Sequence, residues 1–126
     1  MKAHTVAVVS HDAAVRDSIR ELVESAGLQA EILPSLRACL SAVGSGRRGC
    51  LVVDHGGDLG SPERQSEFAQ CCATVPVILI VERGDVRSVV HAMRAGARDV
   101  MQQPYRDSNL LGSINEALKA CAPVGS

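Results

Sequence analysis

Cys50-Leu51-Val52-Val53-Asp54-His55-Gly56-Gly57 decides the reading of the fold. Four apolar residues, two of them β-branched, run unbroken into a carboxylate and then a pair of glycines. A short apolar run closed by turn residues reads as a strand buried on both faces, as in a parallel sheet. Asp54 then stands where that strand leaves the sheet, the edge at which open α/β sheets carry their functional groups.

Upstream of this strand lies the loop Gly44-Ser45-Gly46-Arg47-Arg48-Gly49, preceded by a helix holding Leu36, Leu40 and Val43 and capped by Ser35. Before it, Gln29 to Leu33 is a weaker strand, and Ala13 to Ala26 a helix with Val15, Ile19, Leu22 and Val23 on one face. Asp12 suits its N-cap and Gly27 its C-terminal stop. Thr5 to Val9 opens the chain as the first strand.

Downstream, Pro62 to Cys72 reads as a helix with thin apolar content, its proline in the first turn. Val77 to Val81 is the strongest strand of the chain. Asp85 caps the next helix, which turns Val86, Val89, Val90 and Met93 inward and stops at Gly96. A short strand, Arg98 to Gln102, ends at Gln103-Pro104, and a last helix from about Asp107 buries Leu110, Leu111, Ile114 and Leu118. Five strands alternating with five helices imply βαβ units: a single doubly wound α/β domain with helices on both faces of a parallel sheet. Residues 1–121 make up that domain, and residues 122–126 read as the start of a linker or tail.

The composition fits this. A length of 126 residues suits one domain, and 46% hydrophobic with 21% charged residues is ordinary for a soluble globular protein. A net charge of -1 gives no bulk attraction to nucleic acid or membrane. The longest apolar run, Val75 to Val81, is broken by Pro76 and too short to span a bilayer. Met1-Lys2-Ala3-His4 runs straight into a strand, so no signal peptide is expected and the cytoplasm is the expected location. Five cysteines without C-x-x-C spacing read as reduced, mostly buried thiols. For Cys71-Cys72, packing is favoured over redox chemistry.

Several stretches together carry a family likeness: Asp12-Ala13-Ala14-Val15-Arg16-Asp17-Ser18, Glu24-Ser25-Ala26-Gly27-Leu28, the Asp54 strand, Gly84-Asp85-Val86 and Ala92-Met93-Arg94-Ala95-Gly96-Ala97. On them the chain resembles the receiver domain of two-component response regulators of the FixJ/NarL-like group. The resemblance implies a flavodoxin-like fold with strand order 2-1-3-4-5, which sets the Ser10-His11-Asp12 loop beside Asp54. It also implies a cis Gln103-Pro104 bond. Such domains accept a phosphoryl group from a histidine kinase on an aspartate, which matches Asp54, and hold Mg²⁺ through it and an acidic pair.

The rest of the family's reacting set is missing. The acidic pair falls on Ser10 and His11, the hydroxyl that ends the fourth strand on Val81, the lysine on Gln103, and the aromatic switch on Val100. Gly56 and its neighbours replace the Pro-Gly of the following loop. Ser10, His11, Asp12, Gly56, Val81 and Gln103 are therefore expected as a degenerate pocket around Asp54, with Ser10, His11, Val81 and Gln103 converging on it.

Mg²⁺ wants hard oxygen ligands, and the phosphoryl oxygens want a donor and a cation. None of the four replacements supplies these, so no cofactor and no enzymatic activity are expected. His11 pairs with Asp54 in place of the metal, or else faces solvent; both readings stay open. A transition-metal site from His11, Asp54, His55 and Asp58 matches no ligand spacing.

The expected function is thus an atypical, pseudo-receiver module of a transcription regulator, acting by protein–protein contact. Its partners would be a histidine kinase or another signalling protein. Arg87, His91 and Arg94 recur at i, i+4, i+7 and mark a partner face. The resemblance implies a homodimer through the face of helix 4, strand 5 and helix 5. Without a helix-turn-helix, the domain itself is expected to bind no nucleic acid. The competing readings are a working receiver, which uses Mg²⁺ and is phosphorylated at Asp54, and a stand-alone adaptor.

Overall fold

The computed structural model describes residues 5–43, 49–54 and 61–121. The chain order is β1 (Thr5–Val9), α1 (Ala13–Ser25), β2 (Gln29–Leu33), α2 (Leu36–Val43), β3 (Gly49–Asp54), α3 (Pro62–Thr74), β4 (Val77–Val81), α4 (Val86–Ala95), β5 (Asp99–Gln102) and α5 (Asp107–Cys121). All strand pairs are parallel, in the order β2-β1-β3-β4-β5. This is the flavodoxin-like α/β fold expected from the sequence. The chain reverses direction of winding between β1 and β3, so the C-terminal ends of these two strands lie side by side at one edge of the sheet.

The strands form where β-branched and aliphatic residues run together. β3 and β4 lie in the middle of the sheet, and every residue of Val77–Val81 is buried. The period of two splits their side chains between two clusters. Val53, Leu79 and Val81 face Leu36, Phe68, Cys71 and Ala92 of α2, α3 and α4. Val52, Ile78 and Ile80 face Ile19, Val23, Leu110 and Ile114 of α1 and α5.

Caps fix the helix starts. Asp12 accepts from the Ala14 and Val15 N–H groups at 2.9 and 3.4 Å, Ser61 from Arg64 at 3.1 Å, and Asp85 from Ser88 at 3.1 Å. α4 ends at Gly96, whose φ of +97° suits a residue without a Cβ. Gly49, expected in the preceding loop, instead begins β3. A Cβ there would collide with the Thr5 backbone carbonyl of β1, so only glycine permits this strand approach.

Two packing expectations need correction. α4 does not turn Val86, Val90 and Met93 inward: they are 68%, 42% and 55% exposed. Its buried side is Ser88 and Ala92, with Val89 and Ala95 partly covered. Small residues at this helical spacing let α4 lie close on the sheet, and the Ser88 hydroxyl is satisfied by Asp85 at 2.7 Å. On α5, Leu111 is half-buried and Ala117 takes the fully buried place beside Leu110, Ile114 and Leu118. Among the described residues no helix is long and apolar enough to cross a membrane. Residues 122–126, read as a linker, lie outside the described residues.

Candidate functional site

Strand register builds the site. Val9 pairs with Val53, so Ser10 is carried to the level of Asp54, and Asp54 itself pairs with Ile80 of β4. Ser10 is 94% buried, being 6% exposed, and its Oγ donates to Asp54 Oδ2 at 2.9 Å. The same hydroxyl accepts from the Asp12 N–H at 3.1 Å, which folds the β1–α1 loop back over it. Ser10, not His11, is the residue that grips Asp54 among those described; His11 is exposed.

Beside this contact lies an open pocket of about 520 Å³, lined by His11, Asp12, Ala13, Val15, Asp54, Glu82 and Gln103. Three of these are carboxylates, and no Lys or Arg is among them. The Asp12 carboxylate is occupied in capping α1. Gln103 reaches the pocket because its N–H holds the Val81 carbonyl at 2.9 Å and its bond to Pro104 is cis, as the resemblance implies. A second hollow, of about 580 Å³, shares Glu82 and Gln103 with the first and adds Arg83 and Tyr105. Burial, then the charges of Asp54 and Asp107, push the Tyr105 phenol above its ordinary value.

Of the residues expected to converge on Asp54, Ser10 bonds to it and His11 and Gln103 line the same pocket, as does Asp12. Val81 does not line this pocket. It lies one residue beyond Ile80, the register partner of Asp54, so the period of two turns it into the opposite cluster, where it is 1% exposed. Val100, at the switch position, is half-buried on β5. Gly56, like His55 and Asp58 of the alternative metal set, lies outside the described residues. Glu82 was not singled out from the sequence. Its signal was position alone: it directly follows β4 at the C-terminal edge.

A divalent Mg²⁺ needs several hard oxygen donors in an octahedral array. Here it meets the Asp54 and Glu82 carboxylates, an Asp12 carboxylate engaged in capping α1, a hydroxyl already bonded to Asp54, and an exposed imidazole. These donors do not suit it. Among the described residues no group of three or more His, Cys, Asp or Glu is placed to hold a metal ion.

No model of a protein family matches the chain. The response regulator protein TmoT of Ectopseudomonas mendocina is 35% identical over 113 residues, covering 89% of this chain and 51% of that protein. The transcriptional regulatory protein FixJ of Bradyrhizobium diazoefficiens is 31% identical over 124 residues, covering 98% of this chain and 60% of FixJ. A crystal structure of FixJ-N superposes with a TM-score of 0.82 at 28% identity, covering 98% of this chain and 100% of that one. The chain spans about half the length of the curated relatives it matches.

Proposed function

The chain is a receiver domain of the response-regulator family, and on that premise we propose that it works as a pseudo-receiver: it keeps the aspartate but signals by protein–protein contact rather than by Mg²⁺-dependent phosphoryl transfer. One observation carries this reading. Asp54 is in place, but it is gripped by a neutral hydroxyl in a pocket whose other lining carboxylates are Asp12 and Glu82 and whose lining includes no Lys or Arg. Phosphoryl transfer to a carboxylate is positioning plus neutralisation of charge on the transferred oxygens. Gln103 brings no charge to that task, and a phosphoryl group would add anionic charge to a site already rich in it.

Titrating the domain with beryllofluoride and Mg²⁺ tests this by NMR. The expected result is no saturable shift of the amides of Ser10, Asp54 and Gln103. Saturable shifts centred on Asp54 favour the second reading, a working receiver phosphorylated there, whose support is the open position of Asp54 at the sheet edge.

Contact with partners is assigned to α4. Arg87, His91 and Arg94 are all exposed, and Val86, Val90 and Met93 run beside them as an apolar stripe. An apolar stripe flanked by cations is a contact surface rather than a solvated helix back. It serves a second copy in a homodimer and, in the full protein, a kinase or other signalling partner. The relatives' greater length and the name of FixJ as a transcriptional regulatory protein support reading this module as part of a longer transcription regulator, for which a cytoplasmic location and a DNA-reading part are proposed. Replacing Arg87 and Arg94 together by Glu is expected to change the sedimentation behaviour at fixed concentration. Thermal stability should move little, since both positions are exposed. Unchanged sedimentation would remove α4 from the interface.

A further inference from the structure

The Ser10 hydroxyl has one proton to give and stands between two acceptors. It donates to Asp54 Oδ2 at 2.9 Å, and the Asp12 backbone carbonyl is within its reach at 3.2 Å. The same oxygen accepts from the Asp12 N–H at 3.1 Å. Asp12 in turn starts α1. Its carboxylate accepts from the Ala14 and Val15 N–H groups, and its carbonyl accepts from the Arg16 N–H at 3.0 Å, the first bond of the helix.

An open Asp54 carboxylate, charged and nearer, holds the Ser10 proton against the neutral carbonyl. A hydroxyl that donates to a charge is polarised and accepts more strongly, which tightens its bond from the Asp12 N–H. The Asp12 carbonyl is then left to Arg16. When the carboxylate is covered, neutralised or removed, the proton turns to that carbonyl. The carbonyl now serves two donors, the hydroxyl accepts more weakly, and the first turn of α1 loosens.

Packing leads to the same helix. Alternation along β3 sends the Asp54 side chain to the face of Val52, and its register partner Ile80 packs there with Ile19 and Val23 of α1. α4 lies on the other face, over the cluster that holds Val53 and Val81. Its first turn is bonded to its own cap, with Asp85 accepting from the Ser88 N–H at 3.1 Å and the Ser88 hydroxyl at 2.7 Å.

We propose that Ser10 is a positioning residue that relays the state of the Asp54 carboxylate to the first turn of α1 and leaves α4 outside the relay. Whatever binds or modifies Asp54 then reshapes the start of α1. The α4 face is presented alike in both states; only its use as a partner surface rests on the function proposed above.

The test is amide hydrogen exchange by NMR on the 126-residue chain. Neither Ser10 nor Asp54 belongs to an apolar cluster, so alanine at either position leaves the core intact. Asp54→Ala is expected to speed exchange at Asp12, Ala14, Val15 and Arg16 by about two- to tenfold, the range of a weakened hydrogen bond, with Ser88 and Val89 unchanged. Ser10→Ala should loosen the same α1 amides, and adding Asp54→Ala to it should change them no further. Additive effects in the double variant would show that Asp54 acts on α1 by its charge and not through Ser10, and would overturn the relay. Unchanged α1 amides in Asp54→Ala, or faster exchange at Ser88 and Val89, would overturn it too. No outcome depends on phosphorylation, so a phosphoryl adduct that defeats the pseudo-receiver reading leaves the relay standing.

Discussion

The combined replacement Ser10→Asp, His11→Asp and Gln103→Lys is expected to bind Mg²⁺ and to accept a phosphoryl group on Asp54 from acetyl phosphate. The wild-type geometry already supplies what is hardest to build. β1 and β3 are in the register that sets position 10 within 2.9 Å of the Asp54 carboxylate, and the cis Gln103-Pro104 bond holds position 103 at the pocket. What the three changes add is charge. Ser10→Asp sets a second carboxylate against Asp54, and two like charges at that distance oppose each other until a cation enters.

The triple variant should therefore unfold at lower temperature than wild type without Mg²⁺, and recover as Mg²⁺ is added, because a ligand that binds only the folded state stabilises it. Intact mass before and after acetyl phosphate, with Asp54→Asn as control, reads the phosphorylation. Single replacements should each give little, since groups that act on one transition state are strongly non-additive. Adding Val81→Thr should contribute least, because position 81 faces the α2–α4 cluster and a hydroxyl there would be buried. A triple variant that stays unmodified and indifferent to Mg²⁺ would show that charge is not what the pocket lacks.

The second large effect is on stability. Phe68→Ala is expected to lower the free energy of unfolding by about 3–5 kcal/mol, the range for emptying a buried phenylalanine site. For a domain of this length that moves the thermal midpoint down by on the order of 10–20 °C. Phe68 is the one phenylalanine of the chain. It is 2% exposed, and with Cys71 it is the buried anchor of α3. No other ring is present in that cluster to close the gap. Urea unfolding followed by circular dichroism gives the number. A loss under about 1 kcal/mol would mean that the cluster collapses around the cavity and that Phe68 does not hold α3.

The strands and caps were legible because local chemistry dictates them. Val77–Val81 and Gln29–Leu33 have the limits that their apolar runs imply, and Asp12, Ser35 and Asp85 cap the helices they precede. α4 shows where a period falls short. Val86, Val90 and Met93 recur at helical spacing, but so do Ser88, Ala92 and Ala95. Periodicity gives a stripe, not which of two stripes meets the sheet, and here close packing selected the small one. That choice leaves an apolar ridge beside Arg87, His91 and Arg94.

The pocket was legible as a set of strand ends but not as a set of directions. Val81 ends its strand as expected and still turns away, because alternation along β4 is set by pairing with β3. Glu82 was invisible as a site residue, since nothing in its neighbours marks an exposed Glu after a strand. The grip of Ser10 on Asp54 needed coordinates, because register between strands far apart in sequence decides it.

Mass spectrometry of the unaltered domain after incubation with acetyl phosphate and Mg²⁺ addresses the pseudo-receiver reading most directly. The account predicts the unmodified mass, with the same result for Asp54→Asn. A stoichiometric phosphoryl adduct on the wild-type chain, abolished by Asp54→Asn, would contradict it.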